Sequence, residues 1–569
     1  MKRLSRGLAR RPWLAALPAA LFVLVRVAPD PSGRLVGAEF LDAMGTQWFY
    51  ESIDWALSGR SGLVHTDLLF HPWGKELFVH TGGNLVDALL AWPLRALLGT
   101  ILGYNAWILA LLMLNAYGLA RLCSSFRVGP VGQALASVLI TLSPFVLVEL
   151  EEGRPTQALL VFLALGLVGL RERRPVLAGL CLALSGWTYW YLGLVAGLVA
   201  VLWLPLELVL EPARGRTLRT WALAGLITLV GISPALAAMS QAMGEGSVPG
   251  LLRFDGLGPA AGMWLETVEG DSQALFVVDA LGRGGALGWS DGTLSFAPGA
   301  WLVGPGQVLV GLGLLFSDRR RALPLLGMIL LGGVLAMGPT GLESLWRGLL
   351  ELELMRRWWW PMRAFVLVPV ALAVAAGILA QRLRSRPWLV LALSGALVLA
   401  WSWGSAPLSA WTARPSVLVT DCLRDAPDGA VIDLPLASGQ THLWDQVGHG
   451  KPQLGGMLSK KAAFGAGQAQ AFLTANPFAT ALIAVGDRQD LREVTLDGRQ
   501  ELLDLGYRYV LVRVDAYSYE TQRGQRSDWS RVRRSLVNLL GSEPLLDEKS
   551  PRPVALWTLD GGSLNCRLD

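Results

Sequence analysis

Residues 37–93, GAEFLDAMGTQWFYESIDWALSGRSGLVHTDLLFHPWGKELFVHTGGNLVDALLAWP, concentrate groups able to do chemistry. Glu39, Asp42, Glu51, Asp54, Asp67 and Asp87 alternate with aromatic residues, and His65, His71, His80 and Lys75 lie among them. Apolar segments flank the stretch. Carboxylates close to lipid must find partners, water or ions, so acids gathered here imply a site at a membrane surface. A second cluster, ELEEGRPTQ, brings Glu149, Glu151, Glu152 and Arg154 just after Ser143-Pro144-Phe145. Two carboxylate groups at one interface can deprotonate a hydroxyl, or hold a divalent cation such as Mg or Mn against a phosphate. Solvation explains a single loop acid equally well. It explains the two clusters less well, because both border apolar segments where solvation is incomplete.

A third feature is MRRWWWPMRAF, residues 355–365. An aromatic interfacial belt accounts for Trp358, Trp359 and Trp360. It does not account for Arg356, Arg357 and Arg363. Guanidinium groups at headgroup depth suit a phosphate or pyrophosphate on a lipid carrier. Lys75 either binds phosphate or marks the interface. The three histidines match no standard metal spacing, and packing or hydrogen bonding is the better reading for them. Belt residues suffice for GWTYWYLG (186–193), and no single residue stands out in the loop 240–296. There is no Walker loop, nucleophile elbow, zinc motif or soluble nucleotide-sugar fold. Cys422 and Cys566 could pair in an oxidising compartment, but a disulfide is the less favoured reading.

The elements that must position these groups are mostly apolar. Of 569 residues, 53% are hydrophobic and 16% charged, against roughly 25% charged in a soluble domain. Mean hydropathy is +0.44, so the chain reads as a polytopic α-helical membrane protein. The net charge of +5 sits in short clusters between apolar runs. That pattern orients helices in a bilayer and gives no reason to expect nucleic acid. A basic N-terminus precedes a run from 13 to 28, read as an anchor rather than a cleaved signal. Further runs lie near 104–121, 130–148, 155–170, 175–189, 190–210, 218–239, 297–316, 322–338, 361–381 and 387–404. About eleven spans (roughly 10–13) are expected. The clusters 171–174, 211–219, 318–321 and 381–386 then face the cytoplasm with the N-terminus. Residues 85–99, short and carrying Asp87, Pro93 and Arg95, fit an interfacial or re-entrant helix. Residues 29–103, 149–154, 240–296 and 339–360, with everything after about 405, fall on the outer side.

Composition shifts near Pro407. GAVIDLPL, ALIAVG, YRYVLVRVD and PVALWTLD look like strands, while GQAQAFLTANP and DWSRVRRSLVNLLG look like helices or loops. The expected division is a transmembrane domain over 1–405 and a small extracytoplasmic α/β domain over 406–569.

In its order of parts the chain resembles the GT-C superfamily of integral-membrane glycosyltransferases, which use polyprenyl-phosphate-linked sugars. A basic N-terminus and first span lead to an outer loop with an early acid, here LDAMGTQWFY. An extended stretch follows and ends in a proline-containing interfacial helix, DLLFHPWGKELF through ALLAWPL. Next comes an acidic turn after Ser-Pro, SPFVLVELEEGRPTQ, and later RWWWPMRAF. The likeness covers most of 1–405 and is weaker beyond. The resemblance implies Asp42 as the first-loop catalytic acid and Glu151 or Glu152 at the second acidic position. It implies Arg356, Arg357, Arg363 and Lys75 around the donor phosphate. It also implies an inverting displacement onto a glycan, lipid or protein acceptor at a bacterial inner membrane. The chain departs from the family in having Leu41-Asp42 where Gly-Asp or paired acids are common, and glutamates without aspartate in the second cluster. Metal dependence varies within the superfamily. A non-catalytic scaffold binding glycan or lipid is the main alternative; a flippase is a weaker one, since no internal repeat is visible.

Overall fold

The structure, a computed structural model, describes residues 10–39, 41–77, 84–210, 214–244, 287–290, 293–296, 319–336, 361–402, 406–412, 416, 418–436, 441–456, 467–486, 497–514, 529–547 and 552–562. The chain divides into two compact units. The first comprises Met1–Ala38, Leu89–Leu236 and Gly250–Trp411; the second comprises Glu39–Ala88, Ala237–Pro249 and Thr412–Asp569.

The first unit is helical. Proline opens the helices Pro130–Thr141, Pro144–Glu151, Pro155–Ala158 and Pro175–Thr188. Its ring fixes a helical φ, and its missing N–H is no loss at a helix start. Among the described residues five helical stretches are long and apolar enough to cross a membrane: Thr100–Ser125, Pro130–Glu151, Trp190–Val209, Arg214–Ala238 and Arg363–Arg382. Shorter apolar helices are Pro12–Val23, Pro155–Arg171, Pro175–Thr188 and Arg321–Leu335. Leu367–Arg382 is buried along almost its whole length and packs against Pro130–Thr141. Glycines make that approach possible. A Cβ on Gly132 would lie 2.3 Å from the Gly377 carbonyl oxygen, the small-residue contact that lets apolar helices meet without a hydrophobic driving force. By contrast Leu226, Leu229 and Val230 on Arg214–Gly244 are 58–64% exposed. So much bare apolar surface suits lipid rather than water.

Where helices break, side chains satisfy the freed backbone groups. Asn115 donates to Ala158 O at 2.7 Å and accepts from Leu160 N at 2.7 Å, closing the gap between Pro155–Ala158 and Val161–Arg171. Without this, backbone polar groups would be stranded in an apolar interior. The helix Leu85–Leu98 contains Pro93 and stops at Gly99, whose φ is +82°. At about 1.5 Å per residue it is too short to cross roughly 30 Å of hydrocarbon.

The second unit holds a four-stranded sheet. Its order is Ala430–Leu434, Tyr507–Arg513, Val554–Thr558, Leu545–Asp547. The first pair is parallel and the other two pairs are antiparallel. One face packs Ile432, Leu434, Val510, Val512 and Trp557 under the helices Pro477–Gly486 and Trp529–Leu540. The other packs Val431, Tyr509, Leu511 and Leu556 against Leu418, Val419 and Leu423. The first-loop helix Leu41–Leu57 belongs to this unit. Its Trp48, Phe49 and Trp55 share a core with Leu68, Leu69, Phe70 and Leu443. Trp48 Nε1 donates to Gln446 Oε1 at 2.5 Å, and Gln446 donates in turn to the Leu68 and Lys451 carbonyls.

The expectation of a strand at ALIAVG is corrected: these residues are the end of the helix Pro477–Gly486. Asn476 Oδ1 accepts from Ala479 N at 2.8 Å and caps it. Phe478, Leu482 and Val485 then recur at helical spacing on the face turned to the core. The strands expected in the other three stretches are present. The run 297–316, Arg356, Arg357, Trp358 to Trp360, His80, Cys566 and most of 240–296 lie outside the described residues.

Candidate functional site

The acidic turn of the first unit is held at both ends. Gly37 sits at φ +102°, and a Cβ there would come within 2.8 Å of Leu150 O and 3.0 Å of Glu151 O. Only glycine lets the chain pass that close. Its neighbour Ala38 donates its N–H to Glu151 O at 2.6 Å, while Gly37 N bonds to Ser409 O. The Glu151 carboxylate accepts the Ser409 N–H at 2.9 Å. Glu151 is therefore engaged by backbone.

Glu149, at the end of Pro144–Glu151, is 2% exposed. Its Oε2 accepts from Arg154 Nε at 2.5 Å and from Arg363 Nη1 at 3.2 Å. Arg154 also pairs with Glu152. Arg363, in the turn Pro361–Val366 ahead of a buried helix, is 8% exposed. Its guanidinium carbon lies 5.7 Å from the Tyr189 ring centroid. Its Nε–H has no acceptor among the described residues. A desolvated cation with an unused donor is costly to keep, and its open chemistry is that of an anion receptor. The sequence flagged Arg363 but not its pairing with Glu149 or the ring of Tyr189.

In the second unit Asp42 occupies the first turn of Leu41–Leu57, where a carboxylate meets the positive end of the helix dipole. Nearby, Glu39 pairs with Arg552. Deeper along the helix Tyr50 donates to Asp87 at 2.8 Å, both wholly buried. Lys75 forms a short hairpin with His65–Thr66 and lies 5.4 Å from the Phe70 ring centroid. Burial pulls its ammonium down to about 8. His65 bonds to Glu76 at 2.8 Å, and His71 Nε2 lies 3.2 Å from Leu505 O. These two histidines serve local bonding.

A divalent cation needs several oxygen ligands free to converge. Among the described residues no three His, Cys, Asp or Glu side chains group in that way. Glu149 and Glu152 answer arginines and Glu151 answers backbone. The described residues of this turn do not fit a resident metal.

The sequence reading missed one buried charged group in the second unit. Asp433 and Arg513 stand on neighbouring parallel strands, joined at 2.8 and 3.3 Å, and Asp445 lies 2.8 Å from the same guanidinium. All three are under 5% exposed. Burial, and secondarily Asp445, push Asp433 up to about 6 although Arg513 opposes this. His449 is held down to about 3 by burial and by Lys451 and Arg513. The signal available was a charge inside each of two otherwise apolar strands, AVIDL and YRYVLVR.

No family model matches the chain, and no curated protein matches it. Solved structures do, two oligosaccharyltransferases among them. One is the archaeal oligosaccharyltransferase AglB from Archaeoglobus fulgidus in complex with an inhibitory peptide and a dolichol-phosphate. It shows a TM-score of 0.48 and 13% identity, over 91% of this chain and 74% of that one. The other is the Archaeoglobus fulgidus oligosaccharyltransferase tethered to an acceptor peptide containing the NVT sequon. It shows a TM-score of 0.48 and 12% identity, over 89% of this chain and 69% of that one.

Proposed function

We propose that the protein is an integral-membrane glycosyltransferase that moves a sugar from a polyprenyl-phosphate donor to a glycan, lipid or protein acceptor on the outer side of a bacterial inner membrane. The observation that carries this reading is Arg363, buried beside Glu149 with an Nε–H that has no acceptor among the described residues. An anion that arrives on a lipid suits such a group, in a chain whose described residues include five helices apolar and long enough to cross a membrane.

In this reading the acceptor oxygen attacks the anomeric carbon as the bond from that carbon to the phosphate oxygen breaks. Asp42 takes the hydroxyl proton as general base. The polyprenyl phosphate leaves with its electron pair, and Arg363, with Arg356, Arg357 and Lys75, offsets the developing charge. Glu151 and Glu152 supply the second acidic position, where their bonds to Ser409 and Arg154 keep the turn in shape. The membrane delivers the donor, so no nucleotide-binding loop is required.

The test is transfer from radiolabelled polyprenyl-phosphate sugars by the full chain in nanodiscs, compared with Asp42→Asn. Transfer by the wild type and a loss of at least about a hundredfold in the variant are expected, the lower range for removing a general base. Equal transfer by both would remove Asp42 from the mechanism. No turnover with any donor, alongside intact lipid binding, would favour a scaffold or carrier.

A further inference from the structure

Glu149 was expected to act, if at all, as one more carboxylate of an acidic cluster. Its surroundings give it different work. It is 2% exposed, and its Oε2 alone receives both Arg154 and Arg363. Arg363 uses only Nη1 on it. In a guanidinium the Nε–H and one Nη2–H lie parallel along the side edge, spaced to meet two oxygens of one phosphate. The contact to Glu149 therefore occupies one end of Arg363, while the side edge keeps its Nε–H without an acceptor among the described residues. Tyr189 restrains the plane from one face.

We infer that Glu149 is a positioning residue: it holds Arg363 so that the Nε and Nη2 edge is presented to a phosphate monoester on an isoprenoid lipid. It also supplies the negative charge that lets two arginines share a buried place. This deepens the reading above and rests on it for the source of the phosphate. It assigns Glu149 no proton transfer and no metal.

The experiment is direct binding by the full chain in nanodiscs. The probes are a short polyprenyl monophosphate and the matching prenol without phosphate. Wild type should prefer the phosphate. Glu149→Gln keeps the shape but loses the charge, and should weaken phosphate binding about ten- to thirtyfold while leaving prenol binding unchanged, as for loss of a charge-assisted bond. Arg363→Lys should behave like it, because a lysine cannot offer two parallel donors. Glu149→Asp should recover most of the preference for phosphate.

Thermal unfolding of each variant separates positioning from collapse, since a merely structural role lowers stability without altering the choice between probes. An unchanged preference in Glu149→Gln, or tighter phosphate binding, would overturn the inference. So would a wild type that does not distinguish the probes. If the preference follows Glu149 but no sugar is ever transferred, the positioning role stands and only the transferase reading falls.

Discussion

Arg513→Met tests whether the buried charges of the second unit are understood. Arg513 answers Asp433 at 2.8 and 3.3 Å and Asp445 at 2.8 Å, with all three residues under 5% exposed. Methionine of similar length removes the guanidinium that answers both carboxylates. Stranding a buried charge in this way costs about 3–5 kcal/mol. At about 1.4 kcal/mol per tenfold, local opening should become at least about a hundredfold more frequent. Asp433 already sits at about 6, above its ordinary 3.8. A carboxyl whose folded value is raised contributes stability below its unfolded value and loses it as pH rises through the folded one. The penalty should therefore be largest at pH 8 and shrink towards pH 5. Hydrogen exchange followed by mass spectrometry on peptides covering Ala430–Leu434 and Tyr507–Arg513, corrected for intrinsic rates, reads this directly. Adding Asp445→Asn should recover part of the loss. A change under about fivefold, or one of equal size at both pH values, would refute the reasoning.

His449 gives the opposite slope. Its Nδ1 accepts the Lys451 N–H at 2.9 Å, and its folded value is depressed from 6.5 to about 3. It contributes stability above 6.5 that is lost as pH falls towards 3, at most about 5 kcal/mol, against at most about 3 kcal/mol of opposite sign from Asp433. His449→Gln should thus make exchange protection of the sheet rise as pH falls from 6 to 4, and a profile like that of wild type would contradict this. Gly37→Ala places a methyl 2.8 Å from Leu150 O at a φ of +102°. Strain of about 1–3 kcal/mol is expected there, with thermal unfolding shifted down and transfer slowed about tenfold; unchanged values would mean that the turn tolerates the shift.

Much of the helical architecture was legible because a bilayer demands long uninterrupted apolar runs, and runs such as 104–121 and 190–210 sit within observed helices. ALIAVG was misread because a short apolar run carries no period of its own. The signs that decide it, Asn476 and Pro477, lie just upstream. Arg363 could be flagged from its neighbours in sequence, but its partner Glu149 is 214 residues away, and no local pattern links them. The association of Leu41–Leu57 with Thr441–His449 was equally hidden, since it rests on Trp48 and Gln446 meeting through the fold. Asp433 and Arg513 were overlooked for another reason. Each stands in a strand whose other residues proclaim only burial, and the two explain each other only once the strands are neighbours.

The anomeric configuration of the transferred sugar tests the central claim most directly. The full chain in nanodiscs would be given one donor of defined configuration and an acceptor, and the first product formed read by NMR. Single displacement with Asp42 as base predicts complete inversion. Retention would require a double displacement or a same-face substitution, and would contradict the account.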